Sequence, residues 1–506
     1  MELYRSVQML LTSSPFLDGL IYLSILCIAA YCYATRDFNY WKRRNVQFLK
    51  PVPFFGNLYD VMMFKTTTQE CIKKIWDGIN APYFGMFIFD EPVLVLKSPK
   101  LIKDVLIKDA STFCNRRVAT PSHPNMAHGM FFLKYNEWRK VRKMLSPVFT
   151  SGMLRYLQPH TIEINQTMLD FVHKNCGIFD VTNIGEDFAI EFLVRCFYEA
   201  NPRCFNEKPS VFKKCIHTMF AFNFRNGVVQ NLFFLKPALA DALKLNFVAK
   251  NCMKFFEDVF KRIMTARESY DGKPRSMVDV ANKAIREKKR GEKDALGFET
   301  IMSNVLLFLI AGRDSTTTII SFTLYEIAKN QEIQDKLRKE VKLNVEKHGS
   351  ICFEGVQENK YLEMCINETL RKYPTLPFLD RTPIDDYQFK DTDLKVEKNT
   401  SILIPLFALN RDEHIYPNAT LYNPDRFLSD QINSDGLNFI PFGEGPRICI
   451  GKRIGLLAVS MALSTLVLNF SFQTCKDTPK EIEFETKSFA LTSKHGLFLD
   501  ISPIQE

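Results

Sequence analysis

The sequence predicts a mainly α fold with small β-sheets, preceded by an N-terminal transmembrane helix. Three observations predict it. An apolar run near the start is long enough to span a membrane and ends in a basic cluster. Two short β-rich runs, at 83–89 and 93–96, flank a turn. From about residue 98 to 345, apolar residues recur mostly at helical spacing. The core is sizeable, since 46% of the 506 residues are hydrophobic and 44 are Phe.

Across residues 6–35 the only charge is Asp18, and the apolar centre is 19–34, extended by Phe16 and Leu17. Arg36, Lys42, Arg43 and Arg44 follow, with Tyr40 and Trp41 expected at the membrane interface. This predicts an anchor at 1–35 with everything after it in the cytosol. A cleaved signal peptide fits less well, because the basic cluster lies on the wrong side. Lys50-Pro51-Val52-Pro53-Phe54-Phe55-Gly56-Asn57 then reads as a stiff elbow, closing a segment at 36–57. Residues 58–506 carry no sign of a second compact domain and no internal repeat. Asp90-Glu91-Pro92 reads as a hairpin turn, and Ser98-Pro99 starts a helix through Leu101, Ile102, Val105 and Leu106. The charged, glycine-broken stretch 286–293 reads as an exposed loop.

Charge and cysteine usage exclude several classes. The net charge of +9 is diffuse, with no arginine-rich block, so no nucleic-acid binding is expected; a membrane surface or an acidic protein fits better. Thirteen cysteines form no CxxC pair and no regular spacing, which predicts reduced thiols. Neither CxxC nor HExxH occurs, so a zinc site is not favoured.

Several constellations can carry chemistry. In Phe442-Gly443-Glu444-Gly445-Pro446-Arg447-Ile448-Cys449-Ile450-Gly451 a single cysteine follows a glycine-rich loop and precedes an apolar helix at 454–470. The helix dipole and Arg447 favour the thiolate, which leaves nucleophile, metal ligand and inert core cysteine open. Trp138 and Arg142, four apart on a predicted helix, suit a buried anion; an amphipathic helix with a snorkelling arginine gives the same pattern. Ala311-Gly312-Arg313-Asp314-Ser315-Thr316-Thr317-Thr318 interrupts an apolar helix with a glycine, an acid and four hydroxyls. Ser315 is expected to bond back to the Ala311 carbonyl and Thr316 to that of Gly312, widening a turn, although a helix N-cap reads equally well. Glu368 and Arg371 share a helix face and are expected to be a buried, networked pair. Arg381 ends an extended apolar stretch, and Asn423-Pro424-Asp425-Arg426-Phe427 is a turn.

Together these residues resemble the cytochrome P-450 superfamily of haem-thiolate monooxygenases. Phe442-x-x-Gly445-x-Arg447-x-Cys449-x-Gly451 recurs by chance in a chain this long on the order of once in ten thousand. The other constellations stand in the family's order, and the resemblance covers essentially the whole chain. Finer features resemble the insect microsomal, xenobiotic-metabolising branch: His128-Gly129-Met130-Phe131-Phe132, Leu145-Ser146-Pro147-Val148-Phe149-Thr150-Ser151-Gly152, and Arg371-Lys372-Tyr373-Pro374-Thr375-Leu376-Pro377-Phe378-Leu379-Asp380-Arg381.

The resemblance implies roles. Cys449 is the axial thiolate of a haem b iron, with Phe442 against its loop and Gly451 beside it. Trp138, Arg142, Arg381 and Arg447 pair with the haem propionates. Ala311 to Thr316 cross the distal face, where Asp314 and Ser315, with Thr316, relay protons. Glu368, Arg371 and Arg426 form a structural network. The family usually has threonine after the acid; Ser315 keeps the hydroxyl but loses the methyl that stiffens the rotamer, which predicts looser coupling of electrons to product. Arg313 needs a partner, since an unpaired buried cation is costly.

Substrate contacts are expected from 118–132, 220–235, 305–311, 376–379 and 492–497, segments that suit a lipophilic small molecule. Phe233-Phe234-Leu235-Lys236-Pro237 is expected to dip into the bilayer. Electrons are expected from NADPH through a flavoprotein reductase, with cytochrome b5 as a second donor. Arg139, Lys140, Lys143, Lys452 and Arg453 form the basic docking face. The implied location is the endoplasmic reticulum membrane, catalytic domain on the cytosolic side. An endogenous hormone or fatty acid is the alternative substrate. An oxygen-independent haem-thiolate isomerase and a non-catalytic carrier are the alternative functions.

Overall fold

The computed structural model describes residues 14–118, 126–206, 210–270, 272, 274, 276–292, 295–390, 392–428 and 436–504. Long helices dominate, in chain order α1 Pro15–Thr35, α2 Tyr135–Leu145, α3 Ser151–Lys174, α4 Val181–Tyr198, α5 Val211–Phe220, α6 Phe224–Leu235, α7 Lys250–Ala266, α8 Met277–Lys289, α9 Phe298–Lys329, α10 Gln331–His348, α11 Lys360–Lys372 and α12 Lys452–Asn469. The strands longer than two residues are β1 Tyr83–Ile88, β2 Glu91–Leu96, β3 Gly177–Asp180, β4 Leu379–Arg381, β5 Ser401–Ile404, β6 Phe470–Thr474 and β7 Phe498–Pro503. The expected mainly α fold with small sheets is therefore present.

α1 lies outside the core, mostly exposed, with Ala34 near its end buried. Its composition and length make it a candidate membrane span. α9 and α12 are also long and apolar enough to cross a membrane. Both are mostly buried inside the fold, so their apolarity is that of core helices. Arg36, just past α1, reaches Asp90 at 3.1 Å in the β1–β2 turn and ties the anchor's end to the body.

Trp41 departs from its expected interfacial position. It is buried at 1% exposure against β1, where its indole donates to the Met86 carbonyl at 3.1 Å. A Cβ at Gly85 would lie 2.3 Å from the ring, so the glycine forms the slot that the indole fills. Residues 46–57 follow the same sheet: Val52 and Gly56 exchange backbone hydrogen bonds, and Asn57 accepts from the Phe87 amide at 2.7 Å.

The first sheet has the order β1-β2-β5-β4. β1 and β2 form the expected hairpin, but the turn is Phe89-Asp90, and Glu91 and Pro92 already belong to β2. β2 and β5 run parallel, while β4 pairs antiparallel with β5 and sets Arg381 opposite Ile402. The second sheet has the order β3-β7-β6. One hydrophobic cluster surrounds the first sheet, and a larger one joins α2–α4, α7–α9, α11 and α12.

Two further expectations are corrected. Residues 286–289 form the last turn of α8, not a loop; Arg286, Lys288 and Lys289 there favour the negative end of the helix dipole. Lys293, in the same expected loop, lies outside the described residues. Phe233 and Leu235 are buried, at 1% and 0% exposure, so this segment does not present its side chains outward. Arg117 donates to the Phe234 carbonyl at 3.1 Å and also to that of Leu235, and Phe233 packs edge-on against Phe132. The exposed apolar residues of this region are Phe222, Phe224, Leu239 and Leu243.

All thirteen cysteines are free. Among the described residues no group of three or more potential metal ligands occurs.

Candidate functional site

The cysteine loop is built by backbone geometry. The Cys449 amide donates to the Phe442 carbonyl at 2.9 Å, closing the loop into a compact turn ahead of α12. Gly443 and Gly445 stand at φ +70° and +73°, a region that side chains rarely adopt. A Cβ at Gly445 would also lie 1.8 Å from the Leu106 carbonyl oxygen, so no other residue fits there.

Cys449 is accessible, yet it is set deep among protein atoms, and burial pushes its thiol pKa up. The Gly451 amide, the Arg142 and Arg116 guanidinium groups and the Lys452 amide pull it back toward the thiolate. A surface both deep and accessible faces the interior of the fold rather than bulk solvent. Ala311, midway along α9, is exposed as well.

The predicted cations converge on this loop. Arg142, on α2, donates to the Ile448 carbonyl at 3.0 Å, one residue from Cys449. Arg447 donates to the carbonyls of Cys114 at 2.7 Å and Leu133 at 2.8 Å, and its guanidinium lies 4.7 Å from the Trp138 ring centroid. Trp138 therefore meets Arg447 as well as sharing a helix with Arg142. Arg381, on β4, is buried and, among the described residues, donates only to its neighbour's carbonyl, Asp380, at 2.8 Å.

Sequence reasoning missed Arg116. Its guanidinium sits 3.4 Å from Asp380 and 4.0 Å from the Phe131 ring centroid. The signal was the doublet Arg116-Arg117. Arg117 turns away instead, to Glu91 at 2.8 Å.

These cations outnumber their counter-ions. Burial, then Arg116, presses Arg381 down to about 9, and the same two causes press Arg447 down to about 10. Asp380 offsets both. Among the described residues the buried Nη1 of Arg447 has no partner. Guanidinium groups keep their proton in proteins, so the pressure expresses an unmet demand for anions. The set fits a buried group that carries negative charge.

α9 crosses the site as one unbroken helix of 32 residues, so Asp314 and Ser315 lie inside it and not at an N-cap. The Ser315 hydroxyl donates to the Ala311 carbonyl at 2.9 Å, as expected, and lies 3.3 Å from that of Gly312. Thr316 is buried and makes no such bond among the described residues. Gly312 permits close packing, since a Cβ there would meet Leu193 of α4 at 2.6 Å. Arg313 has the partner it needs: Glu186 of α4, at 2.5 Å, with Asp314 on its other side at 2.5 Å. Asn304 of α9 accepts from the Met130 amide at 2.8 Å and donates to the His128 carbonyl at 3.0 Å. The 126–133 loop thereby joins α9 to the cation cluster.

Glu368 and Arg371 are fully buried and paired by two bonds, at 2.6 and 2.8 Å. Glu368 also accepts from the Asn423 amide at 2.8 Å and from Arg426 at 3.3 Å. The expected triad is thus one hydrogen-bonded unit.

The apolar segments meet through aromatic rings. Phe489, just outside the predicted 492–497 stretch, stacks on Phe234 at 4.1 Å and meets Phe378 at 6.0 Å. Of the predicted 118–132 stretch, residues 119–125 lie outside the described residues.

Comparison with known proteins gives one answer. The family model described as Cytochrome P450 matches residues 46–499. The chain is 32% identical over 510 residues to Cytochrome P450 6k1 of Blattella germanica, covering 96% of this chain and 97% of that protein. It is 31% identical over 483 residues to Cytochrome P450 6j1 of the same organism, covering 94% and 95%. To Probable cytochrome P450 6a13 of Drosophila melanogaster it is 29% identical over 476 residues, covering 92% and 95%.

Proposed function

The chain belongs to the cytochrome P450 family and is a monooxygenase, and on that premise we propose that Cys449 is the iron ligand of a haem b held by the cation cluster. The observation that carries this reading is the group of guanidiniums around the cysteine loop, of which Arg116, Arg381 and Arg447 share Asp380. Two propionates would answer Arg142, Arg381 and Arg447, with Trp138 and Arg116 beside them. Phe442, Gly451 and Ala311 would border the ring.

When bound, the haem supplies the O2 chemistry that inserts one oxygen atom into an organic substrate. The chain's residues prepare for it. The Phe442–Cys449 backbone bond fixes the sulfur, and the Gly451 and Lys452 amides hold its negative charge. Asp314 and the Ser315 hydroxyl, with Thr316 behind, hold protons on the other side. Phe131, Phe234, Phe378 and Phe489 exclude water and select for apolar molecules. Glu368, Arg371 and Arg426 brace the fold behind the loop.

The substrates we infer are lipophilic, chiefly xenobiotics, in keeping with the insect relatives. Electrons come from NADPH through a flavoprotein reductase docked near the exposed Arg139, Lys140, Lys143 and Arg453. Residues 1–35 anchor the protein in the endoplasmic reticulum, 36–57 form the elbow, and 58–506 form the catalytic domain on the cytosolic face. The apolar α1 and the basic residues after it support this.

The test is the reduced, carbon-monoxide-bound spectrum of the holoprotein. The red-shifted band of a thiolate ligand is expected, and Cys449→Ala abolishes it while the buried Cys196→Ala and Cys365→Ala keep it. A wild-type spectrum without the band refutes the assignment.

A further inference from the structure

Arg313 is an expensive residue for the middle of an apolar core helix. Its guanidinium lies between two carboxylates and under the Phe220 ring, 4.8 Å from the centroid. Nε and Nη2 both donate to Oε1 of Glu186, at 3.2 and 2.5 Å. Nη1 donates to Oδ1 of Asp314 at 2.5 Å. Among the described residues, Oδ2 of Asp314 takes no bond.

The fork therefore divides unequally. Glu186 occupies two N–H groups and leaves Asp314 a single contact. Without Glu186 the same fork is free to close on both Asp314 oxygens, the geometry that guanidinium and carboxylate prefer. Arginine has no proton to give at physiological pH, so the chain Glu186–Arg313–Asp314 is not a proton wire. It acts on where the Asp314 carboxylate points and on how firmly it is held.

We propose that Glu186 is a positioning residue for the reaction, holding Arg313 so that Asp314 keeps one oxygen free for proton delivery beside Ser315. This rests on the reading that Asp314 and Ser315 serve proton delivery.

The surroundings of Glu186 agree with such a role. His217 of α5, 49% exposed, lies 3.3 Å from Glu186 and gives the cluster an edge at the solvent. Lys213, also on α5, holds Asp187 at 2.6 Å. The facing groups are thus Arg313 and Asp314 from α9, His217 and Lys213 from α5, and Asp187 from α4 itself. Burial raises the Glu186 carboxyl, but Arg313 and His217 together bring it down to about 2, so it stays a carboxylate. Burial pushes the Asp314 carboxyl up and Arg313 pulls it back, which makes that group sensitive to Arg313's grip.

The experiment uses the full-length holoprotein with its reductase in phospholipid vesicles and a lipophilic alkoxycoumarin as probe. Peroxide released per NADPH consumed is read as a function of pH, beside the reduced carbon-monoxide spectrum as a check on the fold. Glu186→Gln is expected to raise that ratio at least about threefold and to shift its pH profile. Glu186→Asp restores most of the loss. Asp314→Asn raises the ratio as well. If Asp314→Asn raises it and Glu186→Gln matches wild type in ratio and profile, the positioning role is overturned and the Asp314 reading stands. If Asp314→Asn matches wild type, both fall. Should Glu186→Gln lose the carbon-monoxide band, Arg313→Lys replaces it: it keeps the charge and lacks the fork, so an unchanged ratio overturns the proposal.

Discussion

Replacing Glu368 by Gln should be among the most damaging near-isosteric changes in this protein. The Glu368 and Arg371 side chains are 0% exposed. Glu368 receives four donors: Nε and Nη2 of Arg371, the Asn423 amide and Nε of Arg426. Arg371 gives its remaining bonds to the carbonyls of Asn410 at 2.8 Å and Leu421 at 3.1 Å. Gln keeps the volume but turns one acceptor oxygen into a donor that faces other donors. It also leaves Arg371 charged in the core without a counter-ion. Breaking a buried pair on one side costs about 3–5 kcal/mol, and the geometry here gives no route by which water relieves it. The assay is the urea midpoint of unfolding, with the carbon-monoxide band as the probe of the site. Asp425→Asn serves as the internal comparison. Its partner Lys336 lies at a similar 2.9 Å, but the two side chains are 53% and 48% exposed. That pair is expected to contribute about 0–1 kcal/mol. If Glu368→Gln costs no more than Asp425→Asn, the claim that this network braces the cysteine side is refuted.

Two further outcomes are expected. Ser315→Ala removes the hydroxyl now bonded to the Ala311 carbonyl and should raise peroxide per NADPH about tenfold, whereas Ser315→Thr should lower it below wild type; equal ratios in all three exclude a role for this hydroxyl. The Glu186 carboxyl is brought from its ordinary 4.5 to about 2 by Arg313 and His217 against the penalty of burial. Its folded pKa is the lower one, so its stabilisation is fully present above the ordinary value and is lost as pH falls toward about 2. The shift sets a ceiling of about 3 kcal/mol. The urea-midpoint gap between wild type and Glu186→Gln should narrow on acidification through that window, and a gap independent of pH contradicts the assignment.

The parts of the site legible in the sequence are those whose partners are near in the chain. Glu368 and Arg371 are three apart on one helix face, so their pairing follows from spacing alone. The cysteine loop carries its signature in ten consecutive residues. Ser315 and the Ala311 carbonyl are four apart. Where the partner is distant, sequence gave a need without an answer. Arg313 had to be paired, but Glu186 stands 127 positions earlier, on a helix whose apolar residues show only that it packs somewhere. Trp41 looked interfacial because aromatic residues after an anchor usually are, and the slot at Gly85 lies 44 residues on. Phe233 looked membrane-facing by composition, yet Phe132, a hundred residues earlier, covers it. Local pattern gives the face that a segment presents; tertiary contacts decide what that face meets.

The two sides of the site treat positive charge in opposite ways. Near the cysteine loop, Arg116, Arg381 and Arg447 share Asp380, and Arg142 lies beside Cys449. On α9, Arg313 lies between two carboxylates. The first side is left short of anions, and the second is closed within the chain. The residue type fits that difference. A buried lysine sheds its proton when desolvated, and a lysine cluster would relax to neutral. Arginine stays charged, so the excess near Cys449 persists and selects a group with negative charge at that edge. At Arg313 the same permanence serves another end: the cation cannot leave by deprotonation, so Glu186 and Asp314 must keep sharing it.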